Sequence, residues 1–515
     1  MHRSLSASDA ELARRARNSM ERAGGISWWS AVGVAFMLAA GGLFVSAGRL
    51  AGKGVGLLGV NNDVPWGWDI VQFVFWIGIG HAGTLISAAL LLTNQGWRTP
   101  VARTAELMTL CAVACAAVFP VAHVGRLWMA WLAAPAPVAS GVWPDAGSAL
   151  MWDVLAVSTY FLISLLYWFI GMTPDCAVMR DMCRSSLLRR LFACVSLGWC
   201  GSRSQWQIYR GASVALSFVL TPLVVTVHSI VSMDFASTIR TGWHETFFPP
   251  FFVSGAVLSG MAMVQLLTAF SKRQDQLDSQ HMLARYVLGF SWLMAFFYGM
   301  EILCAHLRGG RSLELIESRL WGERAWWFWL MVIGNVALPQ LYWLRRWRSR
   351  RLVILVVSLG VLVGMWWERV VIVVGASLCP VILGREPEYV PTAVDGWMMA
   401  GSAGLFAMLF MLGSRFMPPE FESLRPRLPR ADAWRGWIPM LGAVCGALGL
   451  ALWVWNTQQA VTVAVVQGHL PGWSRWASFV PALFVSALLG AGIAVSVAFF
   501  FLLRRTRYGD SGGKT

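Results

Sequence analysis

Long apolar runs alternate with short polar connections along nearly the whole chain. Twelve runs reach the roughly 20 mainly apolar residues that a membrane-spanning helix needs. They fall at about 28–47, 69–93, 106–125, 147–171, 211–231, 247–270, 283–306, 324–344, 351–372, 396–415, 436–457 and 476–503. The pattern predicts an all-α polytopic membrane protein of about twelve transmembrane helices. Basic residues then set the orientation, because cytoplasmic connections carry the excess of Lys and Arg. Arg14, Arg15, Arg17 and Arg22 precede the first run, and Arg98 and Arg103 follow the second. Further clusters lie at Arg180 to Arg210, Lys272 and Arg273, Arg345 to Arg351, Arg425 to Arg435, and Arg504, Arg505 and Arg507. The connection with Arg308, Arg311 and Arg319 is the main exception. The alternation places both termini in the cytoplasm of a bacterium, with the protein in its inner membrane.

The same pattern divides the chain into a cytoplasmic tail (1–27), a ten-helix core (28–415), a Pro/Arg-rich cytoplasmic linker (416–435), two additional helices (436–503) and a second tail (504–515). The first run is long and lacks a small-residue cleavage site, so it reads as a retained helix, not a signal peptide. Composition agrees: 57% of residues are hydrophobic and only 13% charged, with mean hydropathy +0.59, against about 25% charged in soluble proteins. The net charge of +15 invites a nucleic-acid reading. Its carriers sit between apolar runs, which makes it a topology signal instead. Nine cysteines form no CxxC pair, which argues against a disulfide framework, a zinc site or a cluster. With no CxxCH and no haem-ligand pair identifiable on facing helices, no metal or haem is expected in this chain.

Charged groups within a span cost at least about 2.5 kcal/mol near the centre on insertion scales, so each asks for a partner or a function. Asp69 opens the second span, His123 closes the third, Asp153 lies in the first turns of the fourth and His228 late in the fifth. Glu301 lies late in the seventh span, and Glu368 and Arg369 late in the ninth. In the orientation above all fall in the outer half of the membrane, and His81, in the middle of the second span, is the deepest. A one-sided set of His and carboxylates suits quinol oxidation, because quinol sheds two protons as its electrons leave and its hydroxyls need acceptors that work near neutrality. Structural alternatives stand beside each residue. His81 sits among small residues that let helices approach, and can be an interhelical hydrogen-bonding group. Asp69 can cap its helix, His228 can pack, and Glu368 with Arg369 can neutralise each other. His123, with Arg126 a turn away, and Asp153, preceded by Trp152, are the best candidates for contact with quinol.

The stretch from Val64 to Ser87, VPWGWDIVQFVFWIGIGHAGTLIS, resembles the NrfD/polysulfide-reductase family of membrane subunits. It is most similar to the larger NrfD-like quinol-oxidising subunit (the ActC type) of bacterial alternative complex III. Further similarity follows in order: Phe119-Pro120 with His123, Gly125, Arg126 and Trp128; Trp152-Asp153 with Ser158 to Tyr160; and Thr221-Pro222 with Val227 to Ser232, Asp234 and Phe235. Gly242 to His244, Phe248 to Pro250 and Trp367 to Arg369 complete it. The resemblance implies two four-helix bundles with flanking helices, a quinol (ubiquinol or menaquinol) as substrate, and no cofactor held by this chain. It implies an iron-sulfur partner subunit, multihaem cytochrome c subunits, a second NrfD-like membrane subunit and a terminal oxidase. His123 and Asp153 match the quinol-contacting pair of the family, with Arg126 and Trp152 beside them. Asp69, His81, His228, Asp234, Glu301, Glu368 and Arg369 resemble a transmembrane proton route. Within the same fold, the chain could instead be the menaquinol-coupled anchor of a molybdenum/iron-sulfur reductase. A secondary transporter also has twelve helices, but would carry broken helices and charges at the midplane.

Overall fold

The computed structural model describes residues 6–21, 25–93, 95–126, 128–129, 149–238, 240–243, 245, 247–269, 274–379 and 387–421. All regular structure among them is helical. In chain order the elements are α1 (Ala7–Glu21), α2 (Ile26–Lys53), α3 (Trp68–Leu92), α4 (Thr99–His123), α5 (Ala149–Met182), α6 (Ser186–Val195) and α7 (Arg203–Ala236). They continue with α8 (Phe248–Thr268), α9 (Gln274–Arg308), α10 (Gly310–Trp321), α11 (325–343), α12 (Arg351–Gly375) and α13 (Ala393–Phe416).

Nine of these helices are long and apolar enough to cross a membrane, which makes the protein multi-pass. The expected span at 324–344 is helical but not among the nine: α11 runs from a short α-helix at Ala325–Val332 through a π turn at Ile333–Ala337 into a 3-10 turn at Leu338–Trp343. The two expected spans beyond residue 435 and the linker from residue 422 onward lie outside the described residues, as does His244. The third span begins earlier than its apolar run suggests. Pro100, in the first turn of α4 where its missing N–H costs nothing, starts the helix at Thr99.

The chain divides into two compact units, one of residues 1–23, 131–220 and 418–515, the other of residues 24–130 and 221–417. In the first, α5 packs on α6 and α1. Glu21 at the end of α1 accepts hydrogen bonds from the backbone N–H groups of Arg184 and Ser185. In the second, α3 and α8 are central, with 78% and 83% of their most apolar windows buried, whereas α2 and α13 are peripheral at 28% each.

Water cannot drive helix association in lipid, so contact depends on close packing through small residues. A side chain on Gly80 would meet Val113 on α4, one on Gly83 would meet Thr109, and one on Gly260 of α8 would strike Ala82 of α3. The same device joins α2 to α13 at Gly42 and Gly401, and α11 to α12 at Gly334 and Gly364. These approaches bring the polar residues of neighbouring helices within hydrogen-bonding reach.

Candidate functional site

The chain reverses between α3 and α4 so that the first turn of α3 and the last residue of α4 lie side by side. His123 Nδ1 is 2.6 Å from Asp69 Oδ2, with the Asp69 side chain wholly buried and that of His123 23% exposed. The capping role open to Asp69 is not what the fold uses. Gly67 is the N-cap of α3 and makes no side-chain cap bond, and the carboxylate turns to the histidine instead. A carboxylate at Nδ1 orients the ring and leaves Nε2 as the face offered to a ligand. The backbone N–H of Trp68 donates to the Tyr389 hydroxyl at 3.0 Å. Burial, reinforced by the charges of Asp395 and Asp69, holds the Tyr389 phenol well above its usual range, so it stays protonated. Asp395 closes a capping box with Thr392 at the start of α13. Arg126 is exposed just beyond α4.

Asp153 is 5% exposed within α5, and Trp152 beside it is half-buried. Asp153 belongs to the first compact unit and His123 to the second.

A chain of polar side chains runs through the second unit. His81 on α3 and His228 on α7 meet with their Nδ1 atoms 2.9 Å apart, both fully buried, their rings nearly perpendicular at 83°. A facing histidine pair, which the sequence did not reveal, therefore exists. Its 2.9 Å spacing is that of a hydrogen bond between the two rings. One ring must donate and the other accept. Phe252 stands between this pair and α12: its ring centroid is 6.0 Å from that of His228, and the Arg369 guanidinium lies 4.6 Å over it. Arg369 Nη1 pairs with Glu368 Oε1 at 2.8 Å. Glu368 Oε2 accepts from the Tyr298 hydroxyl, and Asn335 Nδ2 donates to Tyr298 Oη at 2.8 Å and to Glu368 Oε2 at 3.3 Å. One turn after Tyr298 on α9, Glu301 accepts from Arg319 Nη1 of α10 at 2.5 Å.

Five predicted residues, His81, His228, Glu301, Glu368 and Arg369, are thus gathered along one path. Asp69 is joined to His123 instead. Asp234 is buried on α7, six residues beyond His228.

Tyr298, Asn335 and Arg319 escaped the sequence reading. Tyr298 is not ranked among charged residues, and Asn335 is poised by a π turn that no periodicity announces. π turns recur at functional sites in helices, and another of the three among the described residues, Val371–Gly375, begins two residues after Arg369. A further cluster lies at the other end of α3 and α4. Ser87 Oγ donates to Glu106 Oε1 at 2.5 Å, Arg103 Nη1 to Glu106 Oε2 at 3.3 Å, and Arg98 Nη2 lies 3.6 Å from Oε1. Between this cluster and His81, Thr84 Oγ1 donates to Thr109 Oγ1 at 3.1 Å. Glu106 was a legible signal, a carboxylate in a helix, hidden because the apolar run was taken to begin there.

Residues 56–380 match the family described as "Polysulphide reductase, NrfD". The chain is 26% identical over 398 residues to a provisionally named membrane subunit of a dimethyl sulfoxide reductase from Halobacterium salinarum, covering 70% of this chain and 84% of that protein. It is 22% identical over 395 residues to a subunit of the selenate reductase of Mesobacillus selenatarsenatis, covering 71% and 88%. The matched region takes in α3 to α12, the Asp69–His123 pair and the whole polar path, and on that extent the chain belongs to the NrfD family of membrane subunits of oxidoreductase complexes.

Proposed function

We propose that this chain oxidises quinol at the outer end of α3 and α4 and passes the electrons to an iron-sulfur partner subunit. The buried Asp69–His123 hydrogen bond carries the reading. Quinol gives up two electrons and two protons to become quinone. A hydroxyl placed against His123 Nε2 hands over its proton as the first electron leaves, and Asp69, accepting from Nδ1–H, stabilises the imidazolium so formed. The resemblance assigns the second proton to Asp153 and adds Arg126 and Trp152 as headgroup contacts, and ubiquinol and menaquinol both meet these requirements. This chain needs no metal or haem of its own for these steps.

The polar path from Glu106 through His81, His228, Arg369, Glu368 and Tyr298 to Glu301 supports a second role, movement of protons across the membrane as quinol turns over. Asp234 is a further acid on the same helix as His228. The protein would sit in the bacterial inner membrane with both termini in the cytoplasm.

Two assemblies fit this role. The long motif around His81 favours an alternative complex III-like assembly with multihaem cytochrome c subunits, a second NrfD-like subunit and a terminal oxidase. The names of the two relatives favour a membrane anchor that feeds a molybdenum/iron-sulfur reductase. The test is quinol oxidation by the purified intact complex carrying His123→Phe or Asp153→Asn, with assembly and partner cofactor content measured in parallel. Loss of turnover in an assembled complex is expected. Full retention in both would remove these residues from the chemistry.

A further inference from the structure

The 3-10 end of α11 runs into a short hook that turns the chain into α12. Arginine fills five of the seven positions from 345 to 351, and no carboxylate occurs between Glu323 and Glu368. The hook is an ordered piece of backbone. The N–H groups of Trp347, Arg348 and Arg350 donate in turn to the carbonyls of Leu344, Arg345 and Trp347. Orientation in a membrane asks only that cations lie at this end of the spans, but the backbone decides where they point. Arg345–Trp347 is a 3-10 turn, and in that geometry side chains three apart eclipse each other, so Arg345 and Arg348 project from one side. Arg348 is anchored there by its Nε–H, which donates to the Tyr342 carbonyl at 2.6 Å. Neither arginine forms an ion pair among the described residues.

The start of α9 lies at the same level. Tyr342 Oη donates to Gln265 Oε1 at 3.3 Å, and Gln280 Nε2 donates to the Gln265 carbonyl at 3.1 Å. Arg285 follows Gln280 on α9 and is exposed. Asp278, at that end of α9, is exposed too and pairs with none of these arginines among the described residues. Apolar side chains interleave with the cations. Trp343, Leu344 and Leu352 are exposed at 62%, 42% and 73%. Trp343 is held in place, because its indole N–H donates to Gln340 Oε1 at 2.9 Å while Gln340 Nε2 donates to Ser291 Oγ of α9 at 3.2 Å. A small soluble anion would answer the arginines and leave Trp343 and Leu352 in water. A neutral lipid would cover the apolar groups and leave the charge unbalanced. A phosphate joined to hydrocarbon chains answers both.

We infer that this hook binds an anionic phospholipid, its phosphate against Arg345 and Arg348 with Arg285 alongside, and its acyl chains over Trp343 and Leu352. Guanidinium groups make strong charge-assisted hydrogen bonds to phosphate, and basic groups beside a span attract anionic lipid by a factor of about five each. The site is independent of the proposed quinol chemistry and is built from helices other than those that carry Asp69 and His123.

The experiment compares two photoactivatable probes, a phosphatidylglycerol and a phosphatidylcholine, each with a diazirine near the headgroup. They are present in trace amounts in phosphatidylcholine nanodiscs that hold the intact complex, and label is mapped by peptide. The anionic probe is expected to label 343–352 at least about fivefold more than the zwitterionic one, after normalisation to other lipid-facing peptides. Arg345→Gln with Arg348→Gln should bring that ratio to within about twofold of one. Arg285→Gln leaves every cation of the hook in place, and with it the orientation signal, and should still lower the ratio at least about twofold. Equal labelling by the two probes in the unaltered complex would overturn the inference, as would a preference that both variants retain. Absence of either label from 343–352 would give the surface to a protein partner and overturn it as well.

Discussion

Asp69→Asn changes one buried oxygen to an amide and leaves the size of the side chain unchanged, so it isolates the charge behind His123. In the native site a buried carboxylate lies 2.6 Å from Nδ1. Charge-assisted hydrogen bonds of this kind contribute about 1.5–3 kcal/mol. That contribution grows when His123 becomes an imidazolium on taking a quinol proton, because the pair then becomes an ion pair in a dry setting. The neutral amide forgoes it at that moment, and at 1.4 kcal/mol per factor of ten the rate should fall about 10- to 100-fold. The loss should appear in kcat more than in KM, since the bond strengthens as the proton moves. The assay is quinol-driven reduction of an artificial acceptor by the purified complex, normalised to assembled subunit. A rate within about twofold of wild type, below the smallest loss the hydrogen bond allows, would refute a proton-accepting role for the pair.

Arg369→Met leaves Glu368 buried without its counter-charge, and should cost about 3–5 kcal/mol of stability, read as a lowered thermal midpoint of the solubilised complex. The double change Glu368→Gln with Arg369→Met should recover most of it, and a double variant no more stable than the single would argue against the pair. His81→Phe removes the partner of His228 Nδ1. Quinol oxidation should continue in proteoliposomes while proton movement drops to the protons released by quinol alone, a split that a packing role would not produce. Gly260→Leu places a side chain against Ala82 and should destabilise by about 1–3 kcal/mol through overpacking. Gly289→Ala meets open space and should be neutral or stabilising on the same unfolding curve.

Hydrophobic patterning alone determined much of this protein. A membrane span must be continuously apolar because its backbone can bond only to itself, so α3, α8 and α12 are legible as runs. The cost of a charge in lipid marks His81, His123, Glu301 and Glu368 without any comparison. The family motif around His81 was equally plain, since it lies in one unbroken stretch.

Partnership was not legible. Sequence could not tell that Asp69 would turn from its own helix end to His123, because an N-terminal acid suits both roles. Nor could it join His81 to His228, which are 147 residues apart and meet only in the folded chain, where Gly80 and Gly260 let α3 sit close to α4 and α8. Asn335 reaches Tyr298 and Glu368 through a π turn, a shift of register that leaves no trace in an apolar sequence. The pairing of Arg319 with Glu301 depends on how α10 folds back beside α9. Local chemistry selects which groups enter the bilayer, but only packing in three dimensions decides which of them touch.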